Sequence, residues 1–245
     1  MWIYDGSARR RHWPDCRNVR DLGGLPTGDG GRIRANALIR SDSLDRLTPS
    51  GVKALHNAGV RRILDLRSAP EAAARPTPFA DDPIYRLVPL IDPRREPERD
   101  PEAERTLAAT YRGSVLRNAR QIVAGIATIA DAPAGAVLVH CAAGKDRTGM
   151  VVALVLSVAG IPAEVIAEDY AYTAECLRDQ YRVALAALSD ESARAALRDQ
   201  QSSLPQTILA MLDHVTDRYG DVATYLLSNG LTAATLRRLR DRLRA

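Results

Sequence analysis

Lysine is almost missing from this sequence: of its 34 basic residues among 245, only Lys53 and Lys145 are lysines. Cysteine is scarce as well, with Cys16, Cys141 and Cys176 alone. An odd count without a CxxC pair, in a chain of this length, argues against a disulfide framework. The four histidines are scattered, so no structural zinc site, and no other metal site, is expected. Apolar runs are short. The longest, Met150 to Ala159, falls well below the roughly 20 residues a membrane span needs. The first residues turn polar within five positions and lack the apolar core of a signal peptide. A chain without an integral membrane segment is therefore expected, located in the cytoplasm or else secreted without a conventional signal peptide. Net charge is only +4, which gives no ground for a nucleic-acid partner.

What is present is the mix of a folded protein, 46% hydrophobic and 26% charged, without repeats or a long linker. One domain over 1–245 is expected. Residues 1–31 read as irregular, punctuated by glycine; the Gly28-Asp-Gly-Gly31 cluster lacks the spacing of a dinucleotide fingerprint. Ala37 to Arg40, Val60 to Leu66, Ile84 to Ile91 and Ala136 to His140 read as strands. Thr48 or Ser50 caps a helix reaching Asn57. Asp92 to Arg105 is charged and proline-rich, an exposed loop or flap. Ser114 to Ala130 and Met150 to Ala159 have apolar spacing suited to helices, and 163–245 is almost wholly helical. Alternating strands and helices predict an α/β fold around a largely parallel sheet. The last helix, Thr232 to Leu243, is rich in arginine, but alternating leucines suit a docked helix better than a membrane-binding one.

The informative segment is His140-Cys-Ala-Ala-Gly-Lys-Asp-Arg-Thr-Gly149, between an apolar strand and a helix. A strand, a tight loop and a helix start together make an anion site. The N–H groups of Ala142, Ala143, Gly144, Lys145, Asp146 and Arg147 can converge on a phosphate, aided by the helix dipole. Gly144 permits a turn that a Cβ would resist. A thiolate at Cys141 would be stabilised by the same groups and act as a nucleophile. Arg147 presents a planar fork for two phosphate oxygens. Thr148 can donate to the sulfur, and His140 can hold the loop by hydrogen bonds. Lys145 would add charge at the rim. A Walker A loop is excluded, because Asp146 follows Lys145 and Val139 stands where the first glycine belongs. A non-catalytic phosphate-binding module and a sulfur-transfer enzyme are competing readings. The presence of both Cys141 and Arg147 weighs against the former. Persulfide chemistry does not require the placement of Gly144 and Arg147.

His140-Cys141 to Arg147-Thr148 resembles the HCx5R[ST] signature of the cysteine-based protein tyrosine phosphatase superfamily. The fuller string resembles its bacterial PtpB-type branch. Asn18-Val-Arg-Asp-Leu-Gly-Gly24, Leu38-Ile-Arg-Ser-Asp42, Leu64-Asp-Leu-Arg-Ser68 and Tyr225-Leu-Leu-Ser-Asn-Gly-Leu231 are similar to other parts of that branch. The resemblance implies a two-step reaction through a cysteinyl-phosphate on Cys141, with no metal or organic cofactor. It implies phosphotyrosine, phosphoserine or phosphothreonine in proteins, or phosphoinositides, as substrates. It also implies a helical lid, which fits 92–120. The general acid stays open among Asp146, Asp65 and Asp92. Trp13-Pro-Asp15 spells an acid-loop motif too near the start of the chain to serve. Asp65, at a strand end, would point to the ligand edge of the sheet, or else pair with Arg67 beneath the loop.

Overall fold

The computed structural model describes residues 5–245, and the irregular reading of residues 1–4 lies outside them. Strands Arg20–Asp21 (β1), Leu38–Ser41 (β2), Val60–Asp65 (β3), Tyr85–Leu87 (β4) and Ala136–His140 (β5) make one sheet among the described residues, ordered β1-β2-β5-β3-β4. Only β1 runs antiparallel to its neighbour; the other pairings are parallel. The expected α/β architecture with a largely parallel sheet is the one observed.

The central strand β5 shows why its residues read as a continuous apolar run. Val137 and Val139 face one hydrophobic cluster, Ala136 and Leu138 the other, so both faces are covered. The smaller cluster packs around Trp13, Ile39, Leu55 and Phe79. Trp13, from the acid-loop-like string, is therefore a core side chain. Helix Pro49–Asn57 (α2) covers this face, capped by Thr48, whose hydroxyl accepts from the Gly51 N–H. The larger cluster is built by Leu107–Arg117 (α4), Ala119–Ala130 (α5), Asp146–Val158 (α6), Ala163–Ala171 (α7), Pro205–Tyr219 (α10), Val222–Ser228 (α11) and Ala233–Leu243 (α12). Helix α6 is buried nearly all round from Thr148 onward, as its uninterrupted apolar sequence demands.

Several expectations are revised. The first 31 residues hold a short helix, Gly6–Arg9 (α1), capped by Asp5, as well as the edge strand β1. The strand expected over Ile84 to Ile91 keeps ladder geometry only at β4, although the N–H groups of Val88 and Leu90 still donate to the carbonyls of Asp65 and Leu66. Ser114 to Ala130 is two helices. Asn118 leaves helical geometry between them and accepts from the Asp92 N–H through Oδ1. Of the stretch 92–120, only its first part is exposed, with a single 3-10 turn at Glu96–Glu98. From Leu107 it dives into the core, with Tyr111 and Val115 buried against α10 and its neighbours. The exposed helices beside the phosphate loop are instead Thr173–Ala186 (α8) and Glu191–Gln201 (α9), and α9 buries no residue. Short helix Ala69–Ala74 (α3) follows β3. The arginines of α12 serve docking: Arg242 donates to the carbonyls of Ala132, Pro133 and Gly135, and Arg238 pairs with Asp131. No described helix is long and apolar enough to cross a membrane.

Candidate active site

The loop between β5 and α6 leaves the sheet at the carboxyl ends of its parallel strands, where α/β folds place their ligands. Its carbonyls are tied back one by one. Ser43 N donates to Ala142 O at 2.9 Å. Asn18 Nδ2 donates to the carbonyls of Ala143 (3.0 Å) and Gly144 (3.1 Å), and Arg40 Nη2 to Gly144 O at 2.7 Å. His140 Nδ1 lies 3.1 Å from Cys141 O. With the carbonyls held outward, the N–H groups from Ala142 to Arg147 find no acceptor among the described residues. Helix α6 begins without a side-chain cap, so its first N–H groups join that set. The result is a ring of donors with Cys141 at its base, its side chain buried.

Gly144 is indispensable to the turn. Its φ is +66°, and a Cβ there would sit 2.3 Å from Ser41 O. Beneath it, Arg40 and Arg20 clasp one carboxylate. Arg20 Nε donates to Asp169 Oδ1 at 2.7 Å and Arg40 Nη1 to Asp169 Oδ2 at 2.6 Å, all three side chains being inaccessible. Two guanidinium groups and one carboxylate leave a net positive charge under the anion ring. This explains two of the family-like motifs physically: Asn18-Val-Arg20 and Leu38-Ile-Arg40 supply the props of the loop.

Arg147 reaches back over the loop and forms a two-pronged pair with Glu71, Nη1–Oε2 2.6 Å and Nη2–Oε1 2.8 Å. Burial alone would lower the arginine's pKa, but Glu71, Cys141 and Asp146 more than offset it, so Arg147 stays charged. The same pair holds the Glu71 carboxyl down to about 2. Glu71 also accepts from Ser68 N, closing a capping box on α3. Sequence reasoning missed Glu71, although Ser68-Ala-Pro-Glu71 is a legible capping-box pattern.

The other expected residues divide. Asp146 faces a cavity of about 210 Å³ together with Arg147, Tyr111, Met150 and Ile91. Asp65 is not brought there. It is fully buried, gripped by Arg67 (2.6 Å) and by the Tyr85 hydroxyl (2.8 Å), with His140 Nε2 at 3.7 Å. Burial pushes the His140 pKa down, so the imidazole is neutral and braces the loop. Asp92 accepts from Gln121 Nε2 and the Arg94 N–H and does not line that cavity. Lys145 is not a rim group. Its ammonium is buried, donates to the carbonyls of Gln200 and Ser202, and lies 3.2 Å from Asp146 Oδ1. Thr148 is buried, and its hydroxyl finds no acceptor among the described residues, so the bond expected to the sulfur is not formed. From α8, Gln180 borders the loop beside Ala142 and Ala143. Burial, with added repulsion from Asp146 and Cys141, drives the neighbouring Tyr181 phenol upward in pKa. Among the described residues no cluster of three or more His, Cys, Asp or Glu could hold a metal ion.

A thiol beside a set of amide donors, with a guanidinium fork at its rim, has the chemistry that phosphate binding and thiol attack on phosphorus call for. The comparisons agree. Residues 11–245 match the Tyrosine phosphatase family, and the chain belongs to it, as a phosphoric monoester hydrolase. It is 29% identical over 272 residues to the triple specificity protein phosphatase PtpB of Mycobacterium tuberculosis, covering 94% of this chain and 97% of that one. It is 32% identical over 232 residues to a tyrosine-protein phosphatase of Nostoc commune, covering 86% of this chain and 75% of the relative.

Proposed function

We propose that the chain acts as one phosphatase unit that removes phosphate from phosphotyrosine in proteins, and from phosphoserine or phosphothreonine as the name of the mycobacterial relative suggests. The carrying observation is the set of tied-back carbonyls, from Cys141 to Gly144, which leaves the loop N–H groups beside the thiol without acceptors among the described residues. In the first step the Cys141 sulfur attacks phosphorus. The phosphorus–oxygen bond to the leaving group breaks, and that oxygen takes a proton from Asp146. In the second, water attacks the cysteinyl-phosphate, gives its proton to Asp146, and returns the thiolate with inorganic phosphate. The loop N–H groups and Arg147 stabilise the three equatorial oxygens throughout. Asp146 is the acid because it alone of the three candidate aspartates opens onto the cavity containing Arg147; Asp65 serves beneath the loop, holding Arg67 and His140.

Phosphoinositides are a second substrate class on the same chemistry, and a cytoplasmic location is the accompanying expectation. The test is hydrolysis of para-nitrophenyl phosphate without added metal. Wild type should turn over and Cys141→Ser should not. A folded, reduced wild type without turnover would leave a phosphate-binding module instead. Turnover surviving Cys141→Ser would place the chemistry elsewhere.

A further inference from the structure

Tyr111 lies on α4, more than 30 residues before the loop, and is almost fully buried. Its hydroxyl is 2.7 Å from Asp146 Oδ1 and 2.9 Å from the Tyr170 hydroxyl. The two rings meet edge to face, with centroids 6.1 Å apart. An Oδ1 that carries no proton can only accept, so Tyr111 donates to it and must itself accept from Tyr170. The direction of the chain Tyr170 to Tyr111 to Asp146 is thereby fixed.

The Lys145 ammonium, whose hydrogen bonds go to the carbonyls of Gln200 and Ser202, lies 3.2 Å from the same oxygen, Oδ1, as an ion pair. Oδ2 receives no hydrogen bond from the described residues. A carboxyl group turns easily about its terminal torsion, whose preferences are broad and roughly two-fold. The Tyr111 bond and the ammonium beside the same oxygen remove that freedom. They also make Oδ1 a poor place for a proton, since a hydrogen there would face an O–H and an ammonium. We infer that Tyr111, backed by Tyr170, is a positioning residue for the general acid, holding Asp146 so that the transferable proton sits on Oδ2 toward the leaving group. This rests on the reading of Asp146 as the acid.

The surrounding sequence is built to permit the contact. Gly149, in the first turn of α6, leaves room for Tyr170: a Cβ there would lie 2.9 Å from Cδ2 of its ring. Two buried phenols share a single hydrogen bond, so once Tyr170 donates to Tyr111 the Tyr111 O–H needs an acceptor of its own, and Asp146 Oδ1 supplies it.

The test is a series of aryl phosphates from 2,4-dinitrophenyl, which leaves without a proton, to phenyl, which needs one. Read as kcat/KM, which reports the first step, Asp146→Asn should lower the value for phenyl phosphate on the order of 100-fold or more, the usual weight of a general acid, and far less for the dinitrophenyl ester. Tyr111→Phe keeps the ring and should lower kcat/KM for phenyl phosphate about 10-fold, a fraction of that weight, with the dinitrophenyl value nearly unchanged. Tyr170→Phe, which leaves the Tyr111–Asp146 bond in place, should act in the same direction and less. The double variant Tyr111→Phe/Asp146→Asn should be no slower than Asp146→Asn. A loss in Tyr111→Phe that is equal for all leaving groups, or additive with Asp146→Asn, overturns the inference while leaving Asp146 as the acid. If Asp146→Asn itself shows no dependence on the leaving group, the assignment of the acid falls, and the inference with it.

Discussion

The two sides of the phosphate loop are held by different physics. Below, Arg20, Arg40 and Asp169 form ion pairs from which water is excluded; Arg20 also donates to Asn18 Oδ1 and Thr173, and Arg40 to the Gly144 carbonyl of the loop. Above, Arg147 and Glu71 form a pair whose side chains are 20% and 40% exposed. A buried pair that loses one partner leaves a charge with nowhere to go, whereas water can take over either half of an exposed pair. The underside therefore carries the shape of the loop, and the upper side can reorganise when a phosphate arrives. Stability and turnover should be separable by mutation along this division.

The largest expected effect is from below. Asp169→Ala strands two buried guanidinium groups and should cost about 3–5 kcal/mol in urea unfolding. An unchanged midpoint with lost activity would erase the distinction between the sides. Arg147→Lys should do the reverse. Replacing the fork by a point charge should lower kcat on the order of 100-fold, as for removal of a transition-state donor, while unfolding moves by less than about 1 kcal/mol. Glu71→Gln is milder still: the fork keeps its charge but loses its brace, and kcat/KM should fall by about fivefold at most, which corresponds to about 1 kcal/mol. The smallest effect is in pH. The Glu71 carboxyl is held down to about 2 from an ordinary 4.5, so its contribution is complete above 4.5 and is lost as pH falls toward about 2. Acid unfolding should be less steep over that window in Glu71→Gln, and an identical slope would show that the pair contributes nothing to folding.

What could be seen in the sequence was what is local. Strand β5, helix α6 and the loop between them follow from an apolar run, a glycine and a run of small residues. Cys141, Arg147 and the anion ring come with that segment. Contacts that join distant parts of the chain were hidden. Lys145 seemed a rim charge because nothing nearby predicts that the carbonyls of Gln200 and Ser202 would receive it. The lid implied by the resemblance was matched to the charged stretch 92–120, whereas α4 has Tyr111 and Val115 on a buried face, and α8 and α9 lie beside the loop. Asp65 was ambiguous for a different reason: a strand-end aspartate can serve ligand or fold, and the choice was made by Arg67 and Tyr85. Glu71 could have been found, since a capping box fixes a glutamate one turn into a helix whose start adjoins the ligand edge of the sheet.

The Arg20–Asp169 bond closes 149 residues of chain. A ribosome must therefore deliver α7 before the loop that follows β5 has its foundation, although Cys141 and Arg147 have by then been made. Closing so long a segment is slow compared with local helix formation. During synthesis the thiol and its arginine consequently exist for a time without the frame that turns them into a nucleophile and a clamp. The growing polypeptide gains its phosphate site late, when about two thirds of it has been made, and partial chains ending before Asp169 should be inert.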